Sequence, residues 1–310
     1  MCPERCCCCA KRPVKNRVSP QGLSYKDLPH IVNQDGNYLS CRYWEPATPS
    51  RAMMMIIHGA GEHSGCYTKL TSVLTDLSLF VFAHDHIGQG LSEGQRLKVS
   101  SFSTYVRDCL QHIDMMRERH PTLPLFLMSH SLFQGGSIAL NILVSKPDTI
   151  AGLIFLAPLV QINPESATPC KMCLARVMYL LLPNLSIGSL DPQWLSSSQE
   201  EVKKIKEDPL NCRGPYRMRF IVQVLRAVNK LQKLLPKIST PMLIIHGEMD
   251  KVCDINGSLL LYKTVASQDK TFKIIKGAFH HLHQEAPHIN AELQNLIQDW
   301  LKDRLPPKVA

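Results

Sequence analysis

Three polar residues stand where apolar runs end, in an order that supports nucleophilic chemistry. Leu123-Pro-Leu-Phe-Leu-Met-Ser-His-Ser131 carries a buried strand into a serine, and a helical stretch comes after it. Asp250 comes just after Pro241-Met-Leu-Ile-Ile-His-Gly247, and His280 ends Thr271-Phe-Lys-Ile-Ile-Lys-Gly-Ala-Phe279. A sharp strand-to-helix turn lifts a serine hydroxyl above a sheet edge, where an imidazole can take its proton. A carboxylate then fixes the imidazole tautomer and offsets its positive charge. Each residue alone is weak evidence; all three in the order Ser, Asp, His, each at a strand end, are strong evidence. His281 and His283 are rivals for the base, and Asp254 is a rival for the acid. His280 and Asp250 are preferred because they follow their strands directly.

A fourth segment completes the set. Ile56-Ile57-His58-Gly59-Ala60-Gly61-Glu62-His63 follows an early apolar run. Such a loop can aim a backbone N–H at a developing oxyanion, with Ala60 as one donor and Leu132, the residue after the serine, as the other. A metal hydrolase is the competing chemistry. His58, His63, His84, Asp85, His86, His280, His281 and His283 are numerous, but none has a helical ligand spacing such as His-Glu-x-x-His. No metal and no cofactor is expected. Gly88-x-Gly90 fails as a dinucleotide fingerprint because Glu93 holds the third glycine position.

The elements that must position these groups alternate between strand and helix. Buried strands are expected at Ala52 to Ile57, Leu79 to Ala83 and Leu123 to Met128, and further strands at Ile150 to Ala157, Pro241 to Ile245 and Lys270 to Ile275. Asn37 to Trp44 alternates like an exposed antiparallel strand. Helices are expected at Thr104 to Glu118, near Ser137 to Lys146, and at Ile289 to Arg304. This rhythm predicts an α/β fold with a mostly parallel sheet covered by helices on both faces. Residues 160–236 break it: an apolar helical run, Lys171 to Leu182, precedes two basic helical stretches. They read as a helical cap inserted between two halves of a core, 24–159 and 237–310, above the strand edges where ligands of open α/β sheets bind.

Composition sets the limits. The chain has 310 residues, 45% apolar and 20% charged, enough to bury a full core. No apolar run reaches the ~18 residues of a membrane span. Of the net charge of +9, residues 1–17 hold +4 and residues 203–237 hold +8, leaving the body slightly acidic. Two basic stretches suit an anionic membrane surface, and no nucleic-acid-binding motif accompanies them. Residues 1–23 read as a disordered basic tail whose Cys2 and Cys6 to Cys9 offer S-acylation sites. The seven scattered cysteines, without a secretory signal, read as reduced thiols of a cytoplasmic protein attached peripherally to membranes. Cys170-x-x-Cys173 lacks a second pair and reads as helix packing.

From about Ser24 to the last helix, the chain resembles the monoacylglycerol lipases, serine hydrolases of the α/β-hydrolase fold. The segments that carry the resemblance include Asp27-Leu-Pro-His-Ile-Val-Asn33, His58-Gly-Ala-Gly-Glu-His-Ser-Gly65, Phe82-Ala-His-Asp-His-Ile-Gly88, Asn163-Pro-Glu-Ser-Ala-Thr168, Leu182-Pro-Asn-Leu185 and Ser267-Gln-Asp-Lys-Thr271. The resemblance implies cleavage of monoacylglycerols to fatty acid and glycerol, a membrane-touching apolar lid, and contacts from Glu62 and His283 to the glycerol head. The departures suggest a diverged copy of the kind a virus can carry. The family elbow reads Gly-His-Ser-Met-Gly-Gly. Here Ser129 replaces its first glycine, and Ser131-Leu-Phe-Gln-Gly-Gly136 contains two extra residues, so Phe133 takes the place that close strand–helix passage keeps small. Inserted in a regular helix, two residues would rotate the remaining turns by about 200°. A bulge in the first turn, where backbone groups are unbonded, is the expected alternative. Cys66 and Ile205 stand where the family has an arginine near the glycerol pocket and a tyrosine in the cap. Two readings result: an active lipid esterase with a strained elbow, or a pseudoenzyme that binds lipid or a protein partner.

Overall fold

The computed structural model describes residues 17–99, 101–158, 178–182, 184–212 and 214–308. An eight-stranded sheet forms the centre. Its strands are β1 (His30–Val32), β2 (Tyr38–Trp44), β3 (Ala52–Ile57), β4 (Leu79–His84), β5 (Leu125–His130), β6 (Ile150–Leu156), β9 (Met242–Gly247) and β10 (Lys270–Ile275). Their order across the sheet is β1-β2-β4-β3-β5-β6-β9-β10. β1 pairs antiparallel with β2, and β2 antiparallel with β4; every other pair is parallel.

The inner runs, β3 to β6 and β9, become strands because both of their faces are covered, whereas β10 lies at the sheet edge and is only partly buried, with Ile274 exposed. Met53, Met55 and Ile57 enter one buried cluster, and Ala52, Met54 and Ile56 enter the other, as the period of two requires. Helices α2 (Ser103–Arg119) and α3 (Ser137–Ser145) cover the first face. α1 (Thr68–Asp76) and α7 (Pro287–Lys302) cover the second. β2 is half-buried instead of exposed, because β1 flanks it and Leu39 and Cys41 point inward.

Between β6 and β9 lie the short antiparallel pair β7 (Ser186–Gly188) and β8 (Tyr216–Arg217), then α4 (Gln199–Glu207) and α5 (Met218–Gln232). α5 is basic, with Arg219, Arg226 and Lys230 and no acid, whereas α4 balances three Lys against three Glu. α5 does more than cap: Phe220, Val224, Val228 and Leu231 join the main buried cluster beside α3. Of the apolar run, only Met178 to Leu182 is described, with Leu180 and Leu181 strongly exposed. Cys170, Cys173, the segment Asn163 to Thr168 and the N-terminal cysteines lie outside the described residues.

Residues 17–23, expected to belong to a disordered tail, are ordered against the body. Val18 bridges Ser24, Ser19 and Tyr25 are buried, and Arg17 donates to Gly36 O at 2.7 Å and pairs with Glu93 at 2.9 Å. Residues 17–23 are therefore tied to the body through backbone and long-range contacts that local composition does not encode.

Candidate active site

Ser131 follows β5 with φ +55°, a left-handed conformation that non-glycine residues rarely adopt. That strain is what raises a side chain above a strand end. The next turn, Ser131–Gly136, is π-helical before α3 begins. A π turn holds more residues per turn than an α turn, so the lengthened elbow is taken up in the first turn before α3 starts. The close passage of strand and helix is preserved by Gly135 instead of the residue at 133. A Cβ on Gly135 would lie 2.4 Å from His130 O and 2.7 Å from Ile57 O, closer than any side chain tolerates. Ser129 is buried in β5 without disrupting it.

The acid and the base meet through the β9–β10 pairing. His280 Nδ1 lies 2.7 Å from Asp250 Oδ2. Asp250 Oδ1 accepts the amides of Val252 and Cys253 at 2.7 and 2.9 Å, which locks its rotamer. Burial pushes Asp250 up, but the facing His280 and His246 outweigh it and hold the carboxyl below its usual range. For His280, burial dominates and lowers its pKa, only partly offset by Asp250. His280 is thus neutral at neutral pH, as a base must be. A protonated His280 cannot accept, so activity is lost as pH falls through its folded pKa. We expect the acidic limb of the kcat/KM–pH profile to lie below the ordinary imidazole value of about 6.5. A limb at or above that value would contradict this assignment. Asp254 serves elsewhere, since its Oδ1 accepts Asn256 N–H at the N-terminus of α6 (Ile255–Thr264).

Glu62 gathers the polar groups beneath the serine. Its Oε2 accepts Gly59 N–H at 2.9 Å and Tyr67 O–H at 2.8 Å, and it pairs with His130 Nδ1 at 3.0 Å. His281 and His283 approach Oε1 at 3.1 and 3.3 Å. The other ring nitrogen of His130, Nε2, lies 3.1 Å from the backbone carbonyl of His280. A carboxylate and a carbonyl both only accept, so His130 donates from both nitrogens and is an imidazolium. Burial lowers the His130 pKa, but Glu62 outweighs it and the net shift is upward. Burial likewise raises Glu62, and His130, His281 and His283 together drive it far down.

Ser131 and His280 line one cavity of about 310 Å³ with Gly59, Ala60, Glu62 and His281. Ala60 is therefore at the cavity wall, and Leu132 is the second residue of the π turn that Ser131 begins. His283 is placed differently from its expected role at the glycerol head. It stacks on Tyr67 at 4.3 Å behind Glu62 and does not line this cavity, whereas His281 does. Tyr216, Lys251, Trp194 and Ile187 also line it. Sequence reasoning missed them because the segment between β6 and β9 and the loop after β9 deliver them across long chain separations, with no local signal. Cys66 and Ile205 lie toward the cap: Cys66 Sγ is 3.7 Å from Asn211 Oδ1, and Ile205 and Asn211 border an adjoining chamber with Ala60.

Four groups of His, Cys and acid side chains bring ligand atoms within 4.8 Å of one another among the described residues. Glu62–His130–His281 and Asp250–Cys253–His280 are engaged in the bonds above. In His63–Cys66–Asp208, His63 Nδ1 accepts Gly65 N–H at 3.1 Å, so the proton sits on Nε2, 2.8 Å from Asp208. That leaves no imidazole lone pair for a metal. His84–His86–Cys109 lies sealed in the core between β4 and α2.

A parallel sheet bearing a positive-φ serine, an Asp–His pair and a glycine-bearing loop on neighbouring strand ends defines an α/β hydrolase. Residues 48–287 match the family described as Serine aminopeptidase, S33. The chain is 46% identical to monoglyceride lipase of Homo sapiens over 93% of this chain and 94% of that protein. It is 36% identical to the monoglyceride lipase homolog of Monkeypox virus, over 89% and 98%. The crystal structure of Paleococcus ferrophilus monoacylglycerol lipase superposes with a TM-score of 0.74 at 30% identity, covering 86% of this chain and 99% of that one. The chain belongs to the monoglyceride lipase family.

Proposed function

We propose that the protein cleaves monoacylglycerols to fatty acid and glycerol through an acyl-enzyme on Ser131. In this reading Ser131 Oγ attacks the ester carbonyl carbon and His280 Nε2 takes its proton. The carbonyl oxygen becomes an oxyanion facing the amides of Ala60 and Leu132. The C–O bond to glycerol then breaks, and His280 returns the proton to the leaving oxygen. Water, activated by the same imidazole, releases the fatty acid. Asp250 holds His280 with Nε2 toward the serine. No metal or cofactor is needed for these steps.

The observation that carries the reading is the 2.7 Å Asp250–His280 pair on the same cavity as a serine with φ +55°. It favours a working hydrolase over a lipid-holding or partner-binding pseudoenzyme, since a relic has no reason to keep a strained serine. Glu62 and His281 supply polar groups near the serine for a glycerol head. Residues 160–236 act as the cap, and the exposed Leu180, Leu181, Leu182, Ile187 and Trp194 supply an apolar face for peripheral contact with a bilayer. The test is purified protein with monooleoylglycerol and, separately, a fluorophosphonate. We expect fatty acid release and a phosphonyl adduct on the peptide containing Ser131. Neither release nor adduct, under conditions where a known serine esterase reacts, would favour the pseudoenzyme.

A further inference from the structure

We propose that Gln134, a member of the lengthened elbow, is a positioning residue that holds the oxyanion loop through Gln89. The proposal rests on the ester-hydrolase reading above. Gln134 is fully buried, and its Oε1 accepts from Gln89 Nε2 at 2.6 Å. Gln89, also fully buried, accepts Gly61 N–H on its Oε1 at 2.7 Å. The amide orientations are forced. The Gly61 N–H can only donate, so Gln89 presents oxygen to it and nitrogen to Gln134, which must answer with oxygen.

This relay ends beside the proposed oxyanion donor. The Gly59 amide is held by Glu62 and the Gly61 amide by Gln89. The peptide units on both sides of the one carrying Ala60 N–H are thereby tied down. Gly61 has φ +88°, and a glycine so placed does not restrain itself. The cap adds two bonds, from Cys212 N–H to Gly61 O at 2.8 Å and from Tyr216 O–H to Ala60 O at 3.4 Å. The π turn is what brings residue 134 to Gln89. The insertion thus supplies an anchor, where the sequence alone reads it as damage.

The pair is only partly satisfied, since Gln134 Nε2 has no hydrogen-bond partner among the described residues. Leucine at this position removes the acceptor of the buried Gln89 Nε2, so melting falls modestly as the loop loosens.

The experiment measures kcat, KM and melting temperature for full-length Gln134→Leu, Gln89→Leu, the double variant and Gln134→Glu on one soluble carboxylic ester. Misplacing a catalytic group by about 1 Å can cost about 100-fold, and smaller shifts less, so a loss of about 10–100-fold is the scale set for a loosened donor. We expect kcat to fall by that factor in each leucine variant, with KM within about twofold, each variant being assayed well below its own modestly lowered melting temperature. Because the two residues act as one unit, the double variant should be no worse than the poorer single variant. Gln134→Glu, which keeps an oxygen for Gln89 to donate to, should recover most of kcat. Unchanged kcat in Gln134→Leu overturns the relay, as do losses that multiply in the double variant. A wild type that neither hydrolyses esters nor takes a fluorophosphonate removes the underlying reading. An active wild type with an indifferent Gln134→Leu removes the relay alone.

Discussion

Alanine at Ser131 is expected to lower kcat for ester hydrolysis by about 10⁶-fold, the scale seen when a triad nucleophile is removed. The physical reason is local. Ser131 has the positive φ that projects a hydroxyl from the end of β5, and it shares its cavity with the Asp250-held His280. Ser189 also lines the cavity, but it comes from the cap segment after β7 and lies on no such turn. Truncating one oxygen at a site 6% exposed should leave the fold and substrate affinity nearly untouched. Single-turnover kinetics and equilibrium binding of a monoacylglycerol would separate the two effects. Residual hydrolysis within tenfold of wild type would mean that another group attacks.

The second large effect is expected from Glu62→Gln, and it falls first on stability. Glu62 is buried at 3% exposure and faces an imidazolium with two acceptor partners. Removing one member of a buried charge pair typically costs about 3–5 kcal/mol, because the other is left uncompensated. For a chain of this size that lowers the melting temperature by roughly 10 °C. His130 then sheds its proton or loses a partner, and the carbonyl of His280 loses its anchor, so turnover falls with stability. The pH dependence has a definite sign. Glu62 is depressed in the folded state, so its contribution is present above the ordinary carboxylate range and is lost as pH falls through its folded value. The variant should show a flatter loss of stability on acidification. Thermal melts of both proteins across the acidic range test this. A variant that melts within a degree or two of wild type would show that His130 is not charged.

Much of this site is legible in the order of residues alone. The six strand-forming runs, the serine directly after one, and Asp250 and His280 in the loops that follow two others are local patterns, and the strands form at those runs. His281 and His283 are harder. They sit one and three residues beyond His280, and only the path of the loop decides that His281 meets the cavity and His283 stacks behind Tyr67. Gln89 and Gln134 carry no signal at all, being buried glutamines 45 residues apart. Asp254 and Asp250 are told apart only by their partners: one caps a helix and the other holds His280.

From sequence come the α/β architecture, the order of Ser131, Asp250 and His280 after their strands, and the family likeness, because alternation, strand ends and short motifs are written in neighbouring residues. Tertiary structure alone decided how the lengthened elbow is accommodated, that Gly135 keeps the close passage open, that His130 is charged, and that residues 17–23 are bound to the body. Those outcomes depend on which strands lie side by side and on which buried donors find acceptors. Such pairings across space are settled by packing, and no local window of the chain contains them.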